Sequence, residues 1–128
     1  MKLLLDTHVF IWWADQPEKL SPAALSALED EANELLLSVA SLWEMQIKIQ
    51  LRKLKLSLPL KGLVKNQQET NELTVLPVEL THVLALDALP FHHKDPFDRL
   101  LIAQSNVEGL TIVTADSQLS AYSVRLLQ

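Results

Sequence analysis

Short apolar segments alternate with helix signals along the whole chain, and this alternation constrains the fold more than any other feature. Apolar runs of strand length occupy residues 2–5, 35–39, 73–78, 110–113 and 124–126. The stretches between them carry helix caps and apolar residues at helical spacing. Such an order is typical of a parallel sheet with helical crossovers. We therefore predict an α/β fold, a three-layer α/β/α sandwich around a mostly parallel central sheet.

The predicted helices begin at recognisable caps. They cover residues 7–14, 22–31, 41 to about 53, 60–70, 79–86 and 96–107, and Gly109 ends the last one. The sequence Ser41-Leu42-Trp43-Glu44 has the form of a capping box and predicts a helix start at Ser41. From Ile47 onward, apolar and polar residues alternate, which predicts an extended piece before Pro59.

Length and composition limit the class of protein. A chain of 128 residues without cysteine suits one domain over residues 1–128, with neither disulfides nor thiolate metal sites. Asp6 interrupts the first apolar run before it reaches the length of about 7–15 residues that a secretion signal needs. Because no uncharged run reaches the ~20 residues of a membrane span either, we expect a cytoplasmic protein that does not enter a membrane.

The charge is unevenly distributed. A net charge of −5 argues against a protein that binds nucleic acid through bulk charge. Six of the eleven basic residues nevertheless fall in one stretch without any acid: Lys48, Arg52, Lys53, Lys55, Lys61 and Lys65. This stretch is a solvated helix face, a groove wall for phosphates, or a surface that meets an acidic partner.

Four acids share one position relative to the predicted strands. Asp6 follows the first strand, Glu44 follows the second by one turn, and Asp116 follows the fourth. Asp98 lies in the first turn of the helix that follows a loop at residues 90–94. The carboxyl ends of parallel strands meet at one edge of the sheet, where open α/β folds bind their ligands. We therefore expect the four carboxylates to converge.

Each acid also has an ordinary structural explanation. Glu44 could complete the capping box or pair with Lys48, and Asp6 and Asp116 could cap helices. Asp95 has the position of an N-cap, and the helix dipole favours Asp98. Taken together, however, several carboxylates in one cleft repel one another unless a cation lies between them.

The ligand types predict which cation would bind. An all-oxygen site suits Mg²⁺ or Mn²⁺, and such a site can activate water for phosphodiester hydrolysis. The four histidines lack zinc-binding spacing and are predicted to be loop or surface residues: His8, His82, His92 and His93. With only two glycines, the chain has no phosphate-binding P-loop.

Several motifs together resemble one known family. The opening Leu-Leu-Leu-Asp-Thr-His, the segment Ser-Leu-Trp-Glu at residues 41–44, the run His-Lys-Asp-Pro-Phe-Asp-Arg at residues 93–99 and Val-Thr-Ala-Asp at residues 113–116 are similar to PIN-domain proteins. The likeness covers nearly the whole chain. Within that family it is greatest to the VapC-type toxins of bacterial toxin–antitoxin pairs.

The resemblance implies an activity and its residues. It implies a Mg²⁺- or Mn²⁺-dependent endoribonuclease that forms a homodimer, cleaves RNA and is inhibited by a cognate antitoxin. The implied catalytic acids are Asp6, Glu44, Asp98 and Asp116, of which Asp6, Asp98 and Asp116 bind the metal directly and Glu44 acts through water. Asp95 is an additional acid, preferred as an N-cap but able to exchange roles with Asp98, and Thr7 and Thr114 are supporting hydroxyls.

Two other functions stay open at this stage. One is a PIN-like module that binds RNA or protein without cutting, which the net charge and the capping explanations favour. A phospho-acceptor domain fits less well, because Asp6 stands alone after the first strand and no lysine follows Lys94. Trp12, Trp13 and Trp43 are predicted to pack in the core, although the adjacent pair must point in different directions, so that one of the two could reach an interface.

Overall fold

The centre of the molecule is a sheet of five strands that are all parallel, as the sequence predicts. The computed structural model describes residues 1–92 and 95–128. The strands are β1 (Lys2–Leu5), β2 (Glu34–Ser38), β3 (Thr74–Leu76), β4 (Thr111–Val113) and β5 (Leu126–Leu127). Their order in the sheet is β3-β2-β1-β4-β5. The direction in which strands are added therefore reverses between β1 and β4, which is the switch point where ligands bind in such sheets.

Six helices connect these strands. They are α1 (Thr7–Asp15), α2 (Pro22–Glu29), α3 (Val39–Gln50), α4 (Leu60–Asn71), α5 (Leu80–Ala85) and α6 (Pro96–Glu108). Shorter 3₁₀ turns cover Pro17–Lys19, Leu86–Ala88 and Ser117–Ala121. None of the helices in residues 1–92 and 95–128 is both long and apolar enough to cross a membrane.

Each face of the sheet is covered by its own apolar cluster. Alternate residues of β1 point to opposite faces, so that Leu3 and Leu5 join one cluster and Leu4 joins the other. Phe10 of α1 packs in the first cluster, and Leu101 of α6 packs in the second. Because all five side chains are fully buried, both faces exclude water, and the predicted three-layer sandwich is confirmed.

The start of α3 differs from the prediction. The helix begins at Val39, directly after β2, and Ser38 is its N-cap, with its Oγ accepting a hydrogen bond of 3.0 Å from the Ala40 N–H. Ser41 lies inside the helix, so the capping box predicted for Ser41 and Glu44 is wrong. Ser38 can cap because the strand turns into the helix without a loop, and no second cap is needed three residues later.

The extended piece predicted before Pro59 is also wrong. Helix α3 ends at Gln50, earlier than predicted, and Arg52 adopts a left-handed conformation with φ 58°. Residues 51–59 then form turns and irregular backbone rather than a strand. The alternation has a different cause, because Leu54 and Leu56 pack against the core of the first face while Lys55 between them stays exposed.

Two side chains lie in environments opposite to those predicted. His82 is fully buried between α5 and α6, where its ring nitrogens contact the Glu79 N–H and Glu108 Oε1 at 2.9 Å each. These partners satisfy the imidazole, so it needs no solvent. Trp43 was expected in the core but is 63% exposed, because α3 turns this face away from the sheet.

The other predicted placements divide in a similar way. His8 and His92 are exposed, as predicted, whereas His93 and the end of the predicted loop at Lys94 lie outside the described residues. Trp12 and Trp13 are half-buried and pack against the core of the first face.

Candidate functional site

Asp6 lies at the switch point of the sheet, where it is joined to the strand beside it. It follows β1 directly, and its backbone N–H donates to the Val113 carbonyl at 3.0 Å. The Thr114 hydroxyl donates to Asp6 Oδ2 at 2.6 Å and accepts from the Asp116 N–H at 3.0 Å. Thr114 therefore fixes the residue after β1 relative to the residues after β4.

Three of the acids do cap helices, as their ordinary explanation requires. Asp6 Oδ1 accepts from the His8 N–H, Asp116 Oδ1 from the Gln118 N–H, and Asp95 Oδ1 from the N–H groups of Phe97 and Asp98. A carboxylate has about four lone-pair sites, so that even Asp6, whose Oδ2 also accepts from the Thr114 hydroxyl, keeps capacity to accept further bonds. Capping thus explains where these acids are placed without excluding a second role for them.

Glu44 is not a cap but a buried member of the middle of α3. Its side chain is almost inaccessible to solvent, and the Lys48 ammonium lies 3.1 Å from its Oε2. The i, i+4 pair predicted as one alternative is therefore present.

Asp98 lies in the first turn of α6, where the charges of four other acids affect its pKa. Burial raises its pKa from the ordinary 3.8 to about 7, and neighbouring carboxylates add to the shift, in decreasing order Asp95, Asp6, Glu44 and Asp116. A carboxylate that four others influence has to lie near them. The structure thus brings together the acids that the sequence places after separate strands.

Burial also raises the pKa of Asp6. The hydrogen bonds from Thr114 and from the His8 N–H oppose this shift, because they stabilise the ionised carboxylate. Beside it, Thr7 is buried and, among the described residues, its Oγ1 has no hydrogen-bond partner. Buried hydroxyls without a partner are uncommon, and this one is next to an acid of the cluster.

The acids fit a divalent cation by their chemistry, although they do not already enclose one. In residues 1–92 and 95–128, no group of three or more histidine, aspartate or glutamate side chains is arranged so that it could hold a metal ion as it stands. The donors are nevertheless hard oxygens, which Mg²⁺ and Mn²⁺ prefer. Two of these acids have polar partners outside the cluster, since Glu44 Oε2 accepts from the Lys48 ammonium and Asp116 Oδ1 from the Gln118 N–H.

Arg99 is the residue of this region whose role the sequence did not indicate. It is buried, and its guanidinium donates to the carbonyls of Pro90 and Leu89 at 2.8 and 3.2 Å and to the Tyr122 hydroxyl at 3.3 Å. The Phe91 ring stacks on it at 4.0 Å. Arg99 thereby ties the segment before α6 to the end of the chain and positions the helix start that carries Asp98. In the sequence, the position of Arg99 directly after Asp98 was the only indication of this role.

Comparisons with known proteins match this chain over most of its length. A family model described as PIN domain matches residues 3–124. Ribonuclease VapC22 of Mycobacterium tuberculosis (strain ATCC 25618 / H37Rv) is 32% identical over 122 residues, which cover 94% of this chain and 91% of the relative.

Solved structures share the fold across the full length. VapBC2 from Rickettsia felis, bound to a DNA fragment from its promoter, superposes with a TM-score of 0.77 at 16% identity and covers 99% of this chain and 98% of its own. DNA-bound VapBC from Salmonella typhimurium gives a TM-score of 0.68 at 14% identity, with 99% and 97% covered. At such low identity these likenesses establish the fold alone.

Proposed function

The chain belongs to the PIN-domain family, and from this membership and its acid cluster we propose that it is a Mg²⁺- or Mn²⁺-dependent endoribonuclease, the toxin of a type II toxin–antitoxin pair. The observation that carries the proposal is the gathering of acids at the switch point of the sheet, where the Thr114 hydroxyl bonds both Asp6 and the Asp116 N–H, and where the charges of Asp6, Glu44 and Asp116 add to the effect of burial on the pKa of Asp98. The VapC22 relative, which is named a ribonuclease, supports the substrate class.

In this proposal Asp6, Asp98 and Asp116 bind the cation directly. A bound Mg²⁺ or Mn²⁺ supplies an activated water and stabilises negative charge on the phosphate that is attacked. Asp98 has to give up a proton to bind, because its pKa lies near neutrality. Asp116 can rotate away from the Gln118 N–H, whose bond is exposed and of little energetic weight.

The other residues near these ligands have supporting roles. Thr114 donates to Asp6 Oδ2 and the His8 N–H donates to Asp6 Oδ1, so that the two bonds fix the orientation of this carboxylate. Glu44 acts through water, and its Oε2 lies 3.1 Å from the Lys48 ammonium, which orients the carboxylate. Thr7 is a supporting hydroxyl beside Asp6, because its buried Oγ1 has no hydrogen-bond partner among the described residues. Asp95 stays as the cap of α6, because it already accepts two backbone hydrogen bonds.

An RNA cleavage assay tests this function. We expect the wild-type chain to cut single-stranded RNA with Mg²⁺ or Mn²⁺ and to stop when EDTA removes the metal. Asp98→Asn should lower the rate at least ~100-fold, comparable to the loss of a group that stabilises developing charge. Asp30→Asn is the matched control, because Asp30 lies between α2 and β2 at the opposite edge of the sheet.

Two results would contradict the proposal. The first is no cleavage by the wild-type chain with either metal, and the second is an equal rate for Asp98→Asn and wild type. Either result favours the alternative of a PIN-like module that binds RNA or protein without cutting. The capping bonds of Asp6, Asp95 and Asp116 are the observation on which that alternative rests.

We extend the proposal to two partners, a cytoplasmic antitoxin and a second copy of the chain. Its support is that the chain shares its fold with proteins solved as VapBC toxin–antitoxin complexes, among them VapBC-5 from Mycobacterium tuberculosis with a TM-score of 0.61. Light scattering of the purified chain tests the homodimer, which requires twice the mass of one chain. A short adjoining reading frame whose product abolishes RNA cleavage tests the antitoxin.

A further inference from the structure

A cavity of about 460 Å³ lies beside the acid cluster, between α1 and the irregular segment that follows α3. We call it the lysine groove, defined by His8, Trp12, Asp15, Lys48, Lys53 and Lys55. It contains three of the six clustered basic residues that the sequence contains between positions 48 and 65. Two others, Lys61 and Lys65, lie on α4 and line a separate, largely apolar groove.

The lysine groove is directly continuous with the acid cluster. Lys48 belongs to both, since it lines the groove and its ammonium lies 3.1 Å from Glu44 Oε2. His8 also links them, because it lines the groove while its backbone N–H donates to Asp6 Oδ1 at 3.1 Å. A polymer that reaches the acids from this side therefore passes over the lysines.

The segment that presents Lys53 and Lys55 is fixed in place at both ends. At one end the Lys53 N–H donates to the Lys48 carbonyl at 2.8 Å, after the left-handed turn at Arg52. At the other, the Asp15 carboxylate accepts from both the N–H and the hydroxyl of Ser57. The leucines at positions 54 and 56 pack against the core, so the lysines between and before them are directed outward. Such anchoring reduces the entropy lost when a ligand binds.

The chemistry of the groove matches a strand of nucleic acid. The Lys48 ammonium is paired with Glu44, so that Lys53 and Lys55 supply the excess positive charge over the single carboxylate of the groove, Asp15, which already accepts two hydrogen bonds from Ser57. The rings of His8 and Trp12 lie 6.0 Å apart at an interplanar angle of 48° and provide an aromatic surface beside the charges. Proteins that bind single strands combine a cationic wall for phosphates with aromatic rings on which bases stack.

We propose that the lysine groove is a subsite for single-stranded RNA, in which Lys53 and Lys55 bind phosphates next to the one to be cut and Trp12 with His8 contacts a base. The inference rests on the proposed function and deepens it. It also explains how a chain of net charge −5 could bring a polyanion to a cluster of carboxylates, because the local charge of the groove is opposite to that of the whole.

Binding to a short fluorescein-labelled single-stranded RNA tests the subsite by fluorescence anisotropy. Measurements in EDTA over a range of KCl concentrations make the result independent of metal and of cleavage. We expect the double variant Lys53→Gln/Lys55→Gln to bind about tenfold more weakly at low salt. The negative slope of log K against log salt should become shallower by about 1.4, the value for two lost phosphate contacts on a single strand.

The matched control is Lys61→Gln/Lys65→Gln, which removes the same charge from α4. We expect this variant to bind within about twofold of wild type, with an unchanged slope. In a Trp13→Phe/Trp43→Phe variant, where Trp12 is the sole tryptophan, RNA should quench the fluorescence, whereas the same length of polyphosphate should not, because it has no bases.

Four results would overturn the subsite: no RNA binding by wild type, no loss in Lys53→Gln/Lys55→Gln, an equal loss in both double variants, or no quenching of Trp12. A polyglutamate peptide that binds as tightly as RNA, with the same sensitivity to Lys53 and Lys55, would instead assign the groove to an acidic protein. Failure of the proposed function is seen separately, since wild-type cleavage with Mg²⁺ or Mn²⁺ does not depend on these binding results.

Discussion

Asp98 is the residue at which the surroundings most clearly change the chemistry. Its place in the first turn of α6 is favourable for a negative charge, because the helix dipole and the free N–H groups stabilise one there. Burial and four neighbouring carboxylates nevertheless raise its pKa to about 7. The cluster is therefore poised between a protonated state and one in which a cation replaces the proton.

The raised pKa of Asp98 predicts how the stability of the metal-free protein depends on pH. The folded state binds this proton up to about pH 7, whereas the unfolded chain releases it near 3.8. This contribution to stability is therefore present at low pH and is lost as the pH rises through 7. In EDTA, Asp98→Asn should be more stable than wild type at pH 8, and the difference should shrink as the pH falls toward 5.

Urea unfolding followed by tryptophan fluorescence at several pH values measures this difference. Asp30→Asn is again the control and should follow the wild-type curve, because Asp30 is at the other edge of the sheet. A separation between Asp98→Asn and wild type that stays constant from pH 5 to 8 would contradict the raised pKa.

At the residue scale, the sequence predicted where the acids lie relative to the strands better than it predicted which histidine and tryptophan side chains are buried. Asp6 and Asp116 could be located because each follows a short apolar run, and the run itself marks the carboxyl end of a strand. The prediction that His82 is a loop or surface residue was wrong, because nothing in its local sequence indicates Glu108, its partner from another helix. The prediction that Trp43 packs in the core was wrong, because hydrophobicity predicts burial only on average. The orientation of the Trp43 side chain depends on where α3 starts.

At the scale of elements, the two glycines of the chain occupy different positions relative to their helices. Helix α6 starts at Asp95 and Pro96 and ends at Gly109, which adopts the left-handed conformation with φ 68°. An added Cβ would meet nothing within 4 Å at Gly109 or at Gly62, the latter inside α4. The two glycines therefore differ in backbone conformation and not in available space.

This difference predicts opposite effects for the same substitution. Gly109→Ala should destabilise the protein by about 1 kcal/mol, since a Cβ is strained in the left-handed region. Gly62→Ala should stabilise it by about 0.4–1 kcal/mol, because Gly62 lies in the first turn of α4 without a positive φ and alanine restricts the unfolded chain more than glycine does. Urea unfolding of both variants checks the signs, and a loss at Gly62 or a gain at Gly109 would contradict the described ends of α4 and α6.

The elements also show the limit of local patterns. Ser41 and Glu44 match a capping box in sequence, but Ser38 already caps α3 because β2 leads straight into the helix. In residues 51–58, alternation indicates which side chains face the core without requiring a strand partner. Capping residues and alternation thus indicate candidate helix starts and buried side chains, whereas tertiary contacts decide which of several caps or conformations is used.

At the scale of the whole molecule, the strand order creates the candidate site. The order β3-β2-β1-β4-β5 places the ends of β1 and β4 side by side, although more than a hundred residues separate Asp6 from Asp116. The sequence could predict a parallel sheet and acids at its carboxyl edge. It could not predict that β4 pairs with β1, because that pairing depends on long-range packing of α6 against the sheet.

The central claim is that the clustered carboxylates bind a divalent cation, and calorimetric titration of the metal-free protein with Mn²⁺ measures this directly. We predict saturable binding by wild type that is weakened more than about tenfold in Asp98→Asn, since even outer-shell partners of metal sites often contribute 10–100-fold. Asp30→Asn should bind as wild type does. Absence of saturable binding, or the same affinity in Asp98→Asn as in Asp30→Asn, would contradict the account.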